Sequence, residues 1–365
     1  MIPAIRKKRV SAAVKRAGAG ALLLTNLPDV RYLTGFTGSS AALLMQGTRA
    51  TMFTDGRYTT QAALEVDGAK IVIVEKPPAI AACEFAVEKG IAKCAFDTAT
   101  TTVAALDGMR AALPAKLRGS WFVATAGIVA ALREIKDEDE QDRMRAAAAL
   151  GCRLFDKVLE YVLPGATGME VALALEYMAR LEGAERMAFE SIVAGGERGA
   201  LPHGRATNAK LPRRGFVVMD FGVVLDGYCS DMTRTVHLGP ARRGEFEAYE
   251  AVLAAQEAGV RAVRAGVLAS EVDEAARGVL RNAGLDQWFT HSTGHGVGIE
   301  IHEAPRLGKK REGATDPRLK AGMVVTIEPG VYLPGKFGIR IEDTVLVTTE
   351  GCEILTPATK AWMEL

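Results

Sequence analysis

Histidine is missing from the first 200 residues of this 365-residue chain; all five lie between His203 and His302. Any histidine-based site therefore belongs to the later part of the sequence. Cysteine is sparse as well. Cys83, Cys94, Cys152, Cys229 and Cys352 are odd in number, scattered and without a close pair. That pattern suits a reduced cytoplasmic chain better than a disulfide framework, and the absence of thiolate ligands from the candidate site counts against a structural zinc. An excess of one charge is also lacking: the net charge is +1. Neither nucleic acid nor an anionic membrane is expected as a main partner on that balance. No apolar run is long enough to span a bilayer, and Lys15 and Arg16 interrupt any secretory core behind the basic start Arg6-Lys-Lys-Arg9. Low-complexity segments and long linkers are absent too.

What is present suits a globular protein with a sizeable core. Hydrophobic residues make up 48% and charged residues 24%, and the length suits two domains. The front alternates strand signals (19–25, 41–45, 50–54 and 70–74) with helical stretches near 5–17, 56–66, 79–89 and 101–112, which predicts an α/β layer fold. A boundary is expected between Trp121 and Lys136, giving domains 1–130 and 136–365. Asp137-Glu-Asp-Glu-Gln-Asp142 opens a long helix with acids at its positive end, and Tyr161-Val-Leu-Pro-Gly165 closes it.

Asp220, Asp231, His295, Glu328 and Glu342 each sit in a short apolar or glycine-rich stretch. Buried carboxylates are costly unless cations or strong hydrogen bonds compensate them, so four acids and one imidazole read as ligands for two divalent cations. The first pair has a derivable geometry. Gly215 to Leu225 reads as a strand, Asp226-Gly227 as a two-residue turn and Tyr228 to Val236 as the return strand. Pairing Leu225 with Tyr228 puts Asp231 opposite Gly222, which leaves it space. Asp220 and Asp231 then share a face as diagonal neighbours roughly 7–8 Å apart at the backbone. Metals in two-metal sites sit about 3.5–4 Å apart, a gap such a pair can bridge. A solvated hairpin with two exposed aspartates is the competing reading.

The pattern recurs. Gly322-Met-Val-Val-Thr-Ile-Glu328-Pro-Gly330 echoes Gly215 to Gly222 with one extra residue before the acid, and Ile339-Arg-Ile-Glu342-Asp echoes the stretch around Asp231. Upstream, Gly165-Ala-Thr-Gly-Met-Glu-Val171 matches Gly266-Val-Leu-Ala-Ser-Glu-Val272 at an offset of 101 positions, and Arg180-Leu-Glu-Gly183 matches Arg281-Asn-Ala-Gly284 at the same offset. Two long copies predict a pseudo-twofold domain in which each half gives a carboxylate pair. In His291-Ser-Thr-Gly-His295-Gly-Val-Gly-Ile-Glu-Ile-His302 the glycines argue against a helix, so this reads as a loop entering a strand where backbone or ligand approaches closely. Clustering favours His295 and His302 as functional, leaves His291 open, and leaves His237 structural.

Together the stretch around Asp220 and Asp231, His295-Gly-Val-Gly298, Thr326-Ile-Glu328-Pro-Gly330 and Arg340-Ile-Glu342-Asp343 resemble the pita-bread-fold metallopeptidases, family M24. This group includes Xaa-Pro aminopeptidases, Xaa-Pro dipeptidases (prolidases) and methionine aminopeptidases. The resemblance spans residues 136–365. It extends to the front through Asn26-Leu-Pro-Asp-Val-Arg-Tyr-Leu-Thr-Gly-Phe36-Thr-Gly-Ser-Ser40 and Phe53-Thr-Asp-Gly-Arg-Tyr58, which are similar to the creatinase-type amino-terminal domain of the proline-specific members. The fold implied is an α/β front domain followed by an α+β pita-bread domain, a pseudo-twofold curved antiparallel sheet covered by helices.

The resemblance also implies roles. Asp220, Asp231, His295, Glu328 and Glu342 hold the metals, with Glu328 also shuttling a proton. His203 and His302 hold the scissile carbonyl, and His291 and Tyr332 line the substrate pocket. Arg340 holds metal-binding carboxylates in place. An oxygen-rich set with one nitrogen favours Mn(II), with Co(II) or Zn(II) as alternatives. The expected activity is release of the first residue from peptides with proline second, as in an Xaa-Pro aminopeptidase, with a dipeptide-only prolidase as the alternative. A homodimer is expected. Two readings from other classes, a metal-free creatinase-like amidinohydrolase and a non-catalytic binding module, are opposed by the complete ligand set.

Overall fold

The computed structural model describes residues 4–365, which divide into two compact units, 4–133 and 134–365. In the first, a six-stranded mixed sheet runs in the order Lys70–Val74, Arg49–Asp55, Ala41–Gln46, Ala21–Leu24, Cys94–Asp97 and Phe122–Thr125. Helices such as Pro78–Glu88 bury an alanine-rich face (Ala81, Ala82, Ala86) against the sheet residues Ala21, Leu23, Leu44 and Phe53. The elements with no counterpart in the sequence reading include the helix Leu27–Thr34 and the strands Cys94–Asp97 and Phe122–Thr125. Each is short, and the two strands are only four residues long, too brief for a period to show. Within this unit Arg133 reaches back to Asp29 at 2.8 Å, a pair with both members buried.

The second unit has the pita-bread fold. Its two copies correspond element by element: helix Gly168–Leu181 and helix Ala269–Asn282 occupy equivalent positions. Each follows a longer helix, Glu138–Val158 and Arg243–Ala262 respectively. The expected acid-rich start is a complete capping box, in which Asp137 accepts from the Glu140 N–H and Glu140 accepts from the Asp137 N–H. Each half then builds antiparallel strands. Gly215–Phe221 lies between Ile192–Gly195 and Met232–Leu238, and Val324–Ile327 lies between Gly294–Gly296 and Asp343–Val347. Helices cover one face through two apolar clusters, one around Leu154, Leu175, Val217 and Val236 and one around Val272, Val325, Ile327 and Val345. The halves are stitched where Glu342 N–H donates to Thr233 O at 3.1 Å and Thr344 Oγ1 donates to Asp231 O at 2.8 Å.

Candidate active site

The hairpin register runs without a slip from Leu225–Tyr228 at the turn to Asp220–Thr233 in the strands, so Asp231 lies across from Gly222. Asp226 and Gly227 both have positive φ, 46° and 83°, as a turn matched to the strand twist requires. One expectation fails. Gly222 does not leave space for Asp231: a Cβ there would stand 1.8 Å from the Ser230 carbonyl oxygen. Glycine is needed because the two backbones close on each other. The return strand is also interrupted, with Ser230 and Asp231 lying in a break between Tyr228–Cys229 and Met232–Leu238.

Breaks place the second pair as well. The Val324–Ile327 and Gly330–Leu333 strands pair with Asp343–Val347 and Phe337–Arg340 in one register, which sets Glu328 directly across from Glu342. The acids of this half are thus opposed, whereas Asp220 and Asp231 are diagonal. His295 is carried by the strand Gly294–Gly296, and both flanking glycines are forced. A Cβ on Gly294 would lie 1.9 Å from Thr326 O, and one on Gly296 would lie 2.3 Å from Ala304 O.

The five side chains converge. Carboxylate oxygens of Asp220, Asp231 and Glu342 lie within 4.8 Å of one another. His295 Nε2 is 3.5 Å from both Asp231 Oδ2 and Glu328 Oε1. Burial, then the charge of Glu342, pushes Asp231 well above the usual carboxylate range. Burial, then the charge of Glu328, does the same to Glu342. Burial pushes Glu328 up to about 8. His295 Nδ1 lies 2.9 Å from the Gly296 carbonyl, which can only accept, so Nδ1 carries the proton and Nε2 faces the acids with a free lone pair. Burial lowers this imidazole to about 4, keeping it neutral. Asp220 Oδ1 is buried without a hydrogen-bond partner. An orphaned carboxylate oxygen, acids raised by burial and by one another's charge, and an unprotonated ring nitrogen form a donor set that fits divalent cations.

Behind the acids stands Arg340, only 3% exposed, so it is no surface ion pair. Its Nη2 donates to Asp220 Oδ2 at 2.6 Å, its Nε to Thr233 Oγ1 at 3.1 Å and its Nη1 to Tyr332 Oη at 2.6 Å. Thr233 Oγ1 in turn donates to Glu342 Oε2 at 2.6 Å. One guanidinium therefore steadies an acid from each half.

The acids floor a cleft of 740 Å³ whose lining includes His203, His291, His302, Phe189, Ile192 and Arg306. His302 packs edge-on against His295, ring centroids 4.4 Å apart, and is lowered by burial and by the nearby His203. His291 is locked at both nitrogens, with Nδ1 2.8 Å from Ser292 O and Nε2 2.9 Å from Tyr332 Oη. The carbonyl fixes the proton on Nδ1, so Tyr332 donates to Nε2. Tyr332 is not among the lining residues; it is 4% exposed and links His291 to Arg340. His237 lies apart from the cleft, buried beside Phe216 and Trp362, with Nδ1 bonded to Gly239 O.

Two site residues escaped the sequence reading. Thr233, opposite Asp220, was available from the hairpin register. Arg306 pairs across the ladder with His295, and among the described residues no acid forms an ion pair with it. Its ladder pairing with His295, just before the register shifts at Gly296, brings it to the cleft.

Comparison with known proteins gives the same picture. Residues 142–349 match the model of metallopeptidase family M24, and residues 6–135 match the creatinase/prolidase N-terminal domain. The solved Xaa-Pro dipeptidase from Bacillus anthracis is 37% identical, with all of both chains covered and a TM-score of 0.93. The X-Pro aminopeptidase from Thermotoga maritima is 34% identical over 97% of this chain and 100% of that one, TM-score 0.87. An Xaa-Pro dipeptidase from Pyrococcus horikoshii is 33% identical over 96% of each chain. The main activity expected from sequence, an aminopeptidase rather than a dipeptidase, is thus not singled out. The chain belongs to metallopeptidase family M24 and is a peptidase.

Proposed function

We propose that this enzyme hydrolyses the Xaa-Pro bond of dipeptides, with Asp220, Asp231, His295, Glu328 and Glu342 holding two divalent cations, Mn(II) first among them. Bound there, the cations supply Lewis acidity that makes water nucleophilic at neutral pH. The chain's own residues do the rest. Glu328 takes the proton of the attacking water and passes it to the proline nitrogen. That nitrogen has no hydrogen of its own and leaves only once protonated. His302 and His203 donate to the scissile carbonyl oxygen as negative charge develops on it. His291, with both nitrogens engaged, offers ring carbon to the cleft, a surface suited to a proline ring.

Arg306 is the observation that carries the dipeptidase reading. It lines the cleft beside His302 and, among the described residues, lacks an acid partner. A dipeptide puts its terminal carboxylate one residue from the cut bond, and an unpaired guanidinium there is its natural partner. An aminopeptidase remains as a second reading, because the cleft shares Phe189, Glu190 and Arg205 with a further groove of 410 Å³. Homodimer formation and a cytoplasmic location are proposed with the function. The test compares Gly-Pro, Gly-Pro-amide and Gly-Pro-Gly-Gly with Mn(II) restored to chelator-stripped protein. Gly-Pro is the preferred substrate, and Arg306→Met raises its KM by a factor on the order of 10–100, the worth of a charge-assisted bond. Turnover of Gly-Pro-amide is unaffected by that substitution. Faster cleavage of the tetrapeptide instead establishes the aminopeptidase.

A further inference from the structure

We infer that the buried Asp273–Arg277 pair is a positioning device that holds the loop 289–293, and with it His291 and the backbone of Glu328, in working geometry. The kinetic part of this inference rests on the Xaa-Pro reading above; the structural part does not.

Arg277 and Asp273 are 2% and 1% exposed. Arg277 Nε and Nη2 donate to the two Asp273 oxygens at 2.9 and 3.0 Å, the bidentate form of the pair. The remaining reach of the fork goes to the loop: Nη1 donates to Phe289 O at 2.9 Å and Nη2 to His291 O at 3.0 Å. The guanidinium also lies 4.0 Å from the Phe289 ring centroid. Asp273 Oδ1 accepts from Thr293 Oγ1 at 2.8 Å and from the Thr293 N–H at 3.2 Å. Residues 289, 291 and 293 are therefore all tied to one helix. The loop passes the constraint in two directions, through the His291 ring into the cleft and through Thr293 O, which accepts from the Glu328 N–H at 2.8 Å.

Stability alone does not call for this pair. Two desolvated charges are often matched or bettered by apolar residues of similar volume, so a buried fork is better understood by the geometry it imposes. The duplication supplies an internal comparison. At the same offset of 101 positions the first half has Ala172 and Glu176 in place of Asp273 and Arg277, and Phe189-Glu-Ser191 in place of Thr290-His-Ser292. There the equivalent helix face borders the groove of 410 Å³, Ala172 gives Glu176 no partner, and Glu190, at the position of His291, pairs with Arg205 at 2.6 Å instead of with that helix. The helix-and-strand unit folds without the pair; only the half that presents His291 has it.

The test uses the full chain reconstituted with Mn(II). In Arg277→Ala, kcat/KM for Gly-Pro falls by a factor on the order of 100, as a misplacement near 1 Å produces. Most of that loss appears in KM. Added guanidinium restores part of it, and the Mn(II) stoichiometry is kept. Long-range 1H–15N spectra of the chain loaded with diamagnetic Zn(II) give a readout independent of turnover. The distinct Nδ1 and Nε2 signals of His291, a single neutral tautomer in the wild type, move toward each other in the variant. Wild-type kinetics with unchanged imidazole signals overturn the inference, and so does a loss that guanidinium cannot rescue and that only tracks lowered stability. Should Arg277→Ala not fold, Thr293→Val removes one tie isosterically: a smaller fall in kcat/KM with the same spectral change is expected, and wild-type values overturn the inference. If the wild type cuts no Xaa-Pro peptide, the functional reading fails while the His291 spectra still decide the positioning.

Discussion

His291 shows how burial turns one side chain into a condition on the whole protein. Its imidazole is lowered to about 4, first by burial and then by the positive charge of Arg340, against a usual value of 6.5. The unfolded chain takes up a proton there near pH 6.5 and the folded chain does so only near 4, so the unfolded state binds more protons across that window. Stability supplied by the neutral ring is complete above pH 6.5 and is lost as pH falls from 6.5 toward 4. The loss amounts to at most about 3 kcal/mol. His291→Asn should flatten the pH dependence of the urea midpoint in that window. An unchanged slope would mean that the ring is not held neutral. This residue also marks where sequence reading stops: clustering in one stretch raised His291 as a candidate, but nothing in the sequence tells that Ser292 O and Tyr332 Oη occupy both nitrogens.

Element by element, legibility followed the reach of the physical rule. The hairpin register came from a two-residue turn and a period of two, and both are local, so the diagonal placement of Asp220 and Asp231 could be derived. The breaks at Asp231 and Glu342 could not, because they arise where the two halves exchange bonds, nor could the break at Glu328, whose N–H turns to Thr293 O. Arg234 shows that long-range control most clearly. Fully buried, it donates to Asp343 Oδ1 at 2.9 Å, to the carbonyls of Thr356 and Ala358 at 2.9 and 2.7 Å, and to the Glu342 carbonyl. Asp343 also accepts from Gln256 at 2.9 Å and Lys360 at 2.5 Å. The C-terminal segment is thus strapped to the backbone that carries Glu342. Arg234→Leu leaves Asp343 to Lys360 and Gln256, takes the donor from the Glu342, Thr356 and Ala358 carbonyls, and should cost about 3–5 kcal/mol. The double variant Arg234→Leu, Asp343→Leu should recover part of that in urea denaturation. No recovery would show that the arginine acts through the carbonyls instead.

At the scale of the molecule, the two units differ in what their interiors ask for. The core of 4–133 is apolar, built on residues such as Leu23, Phe53 and Trp121, whereas 134–365 encloses acids raised by burial and mutual repulsion. Divalent cations remove that repulsion and bind only the folded arrangement, so they should stabilise the second unit alone. The gain is about 4 kcal/mol at a free concentration 1,000 times Kd. Calorimetry of chelator-stripped protein should then show two transitions, of which Mn(II) raises only one. Asp231→Asn relieves part of the crowding and removes a ligand, so its metal-free transition should lie above that of the metal-free wild type and rise less on adding Mn(II). Elemental analysis should find fewer than two metals bound to that variant. If instead both transitions rise together with Mn(II), the units unfold as one and the acids of the second unit set the stability of the whole chain. A metal-free Asp231→Asn transition below the wild type would mean that the cluster is held by hydrogen bonds and not frustrated by charge.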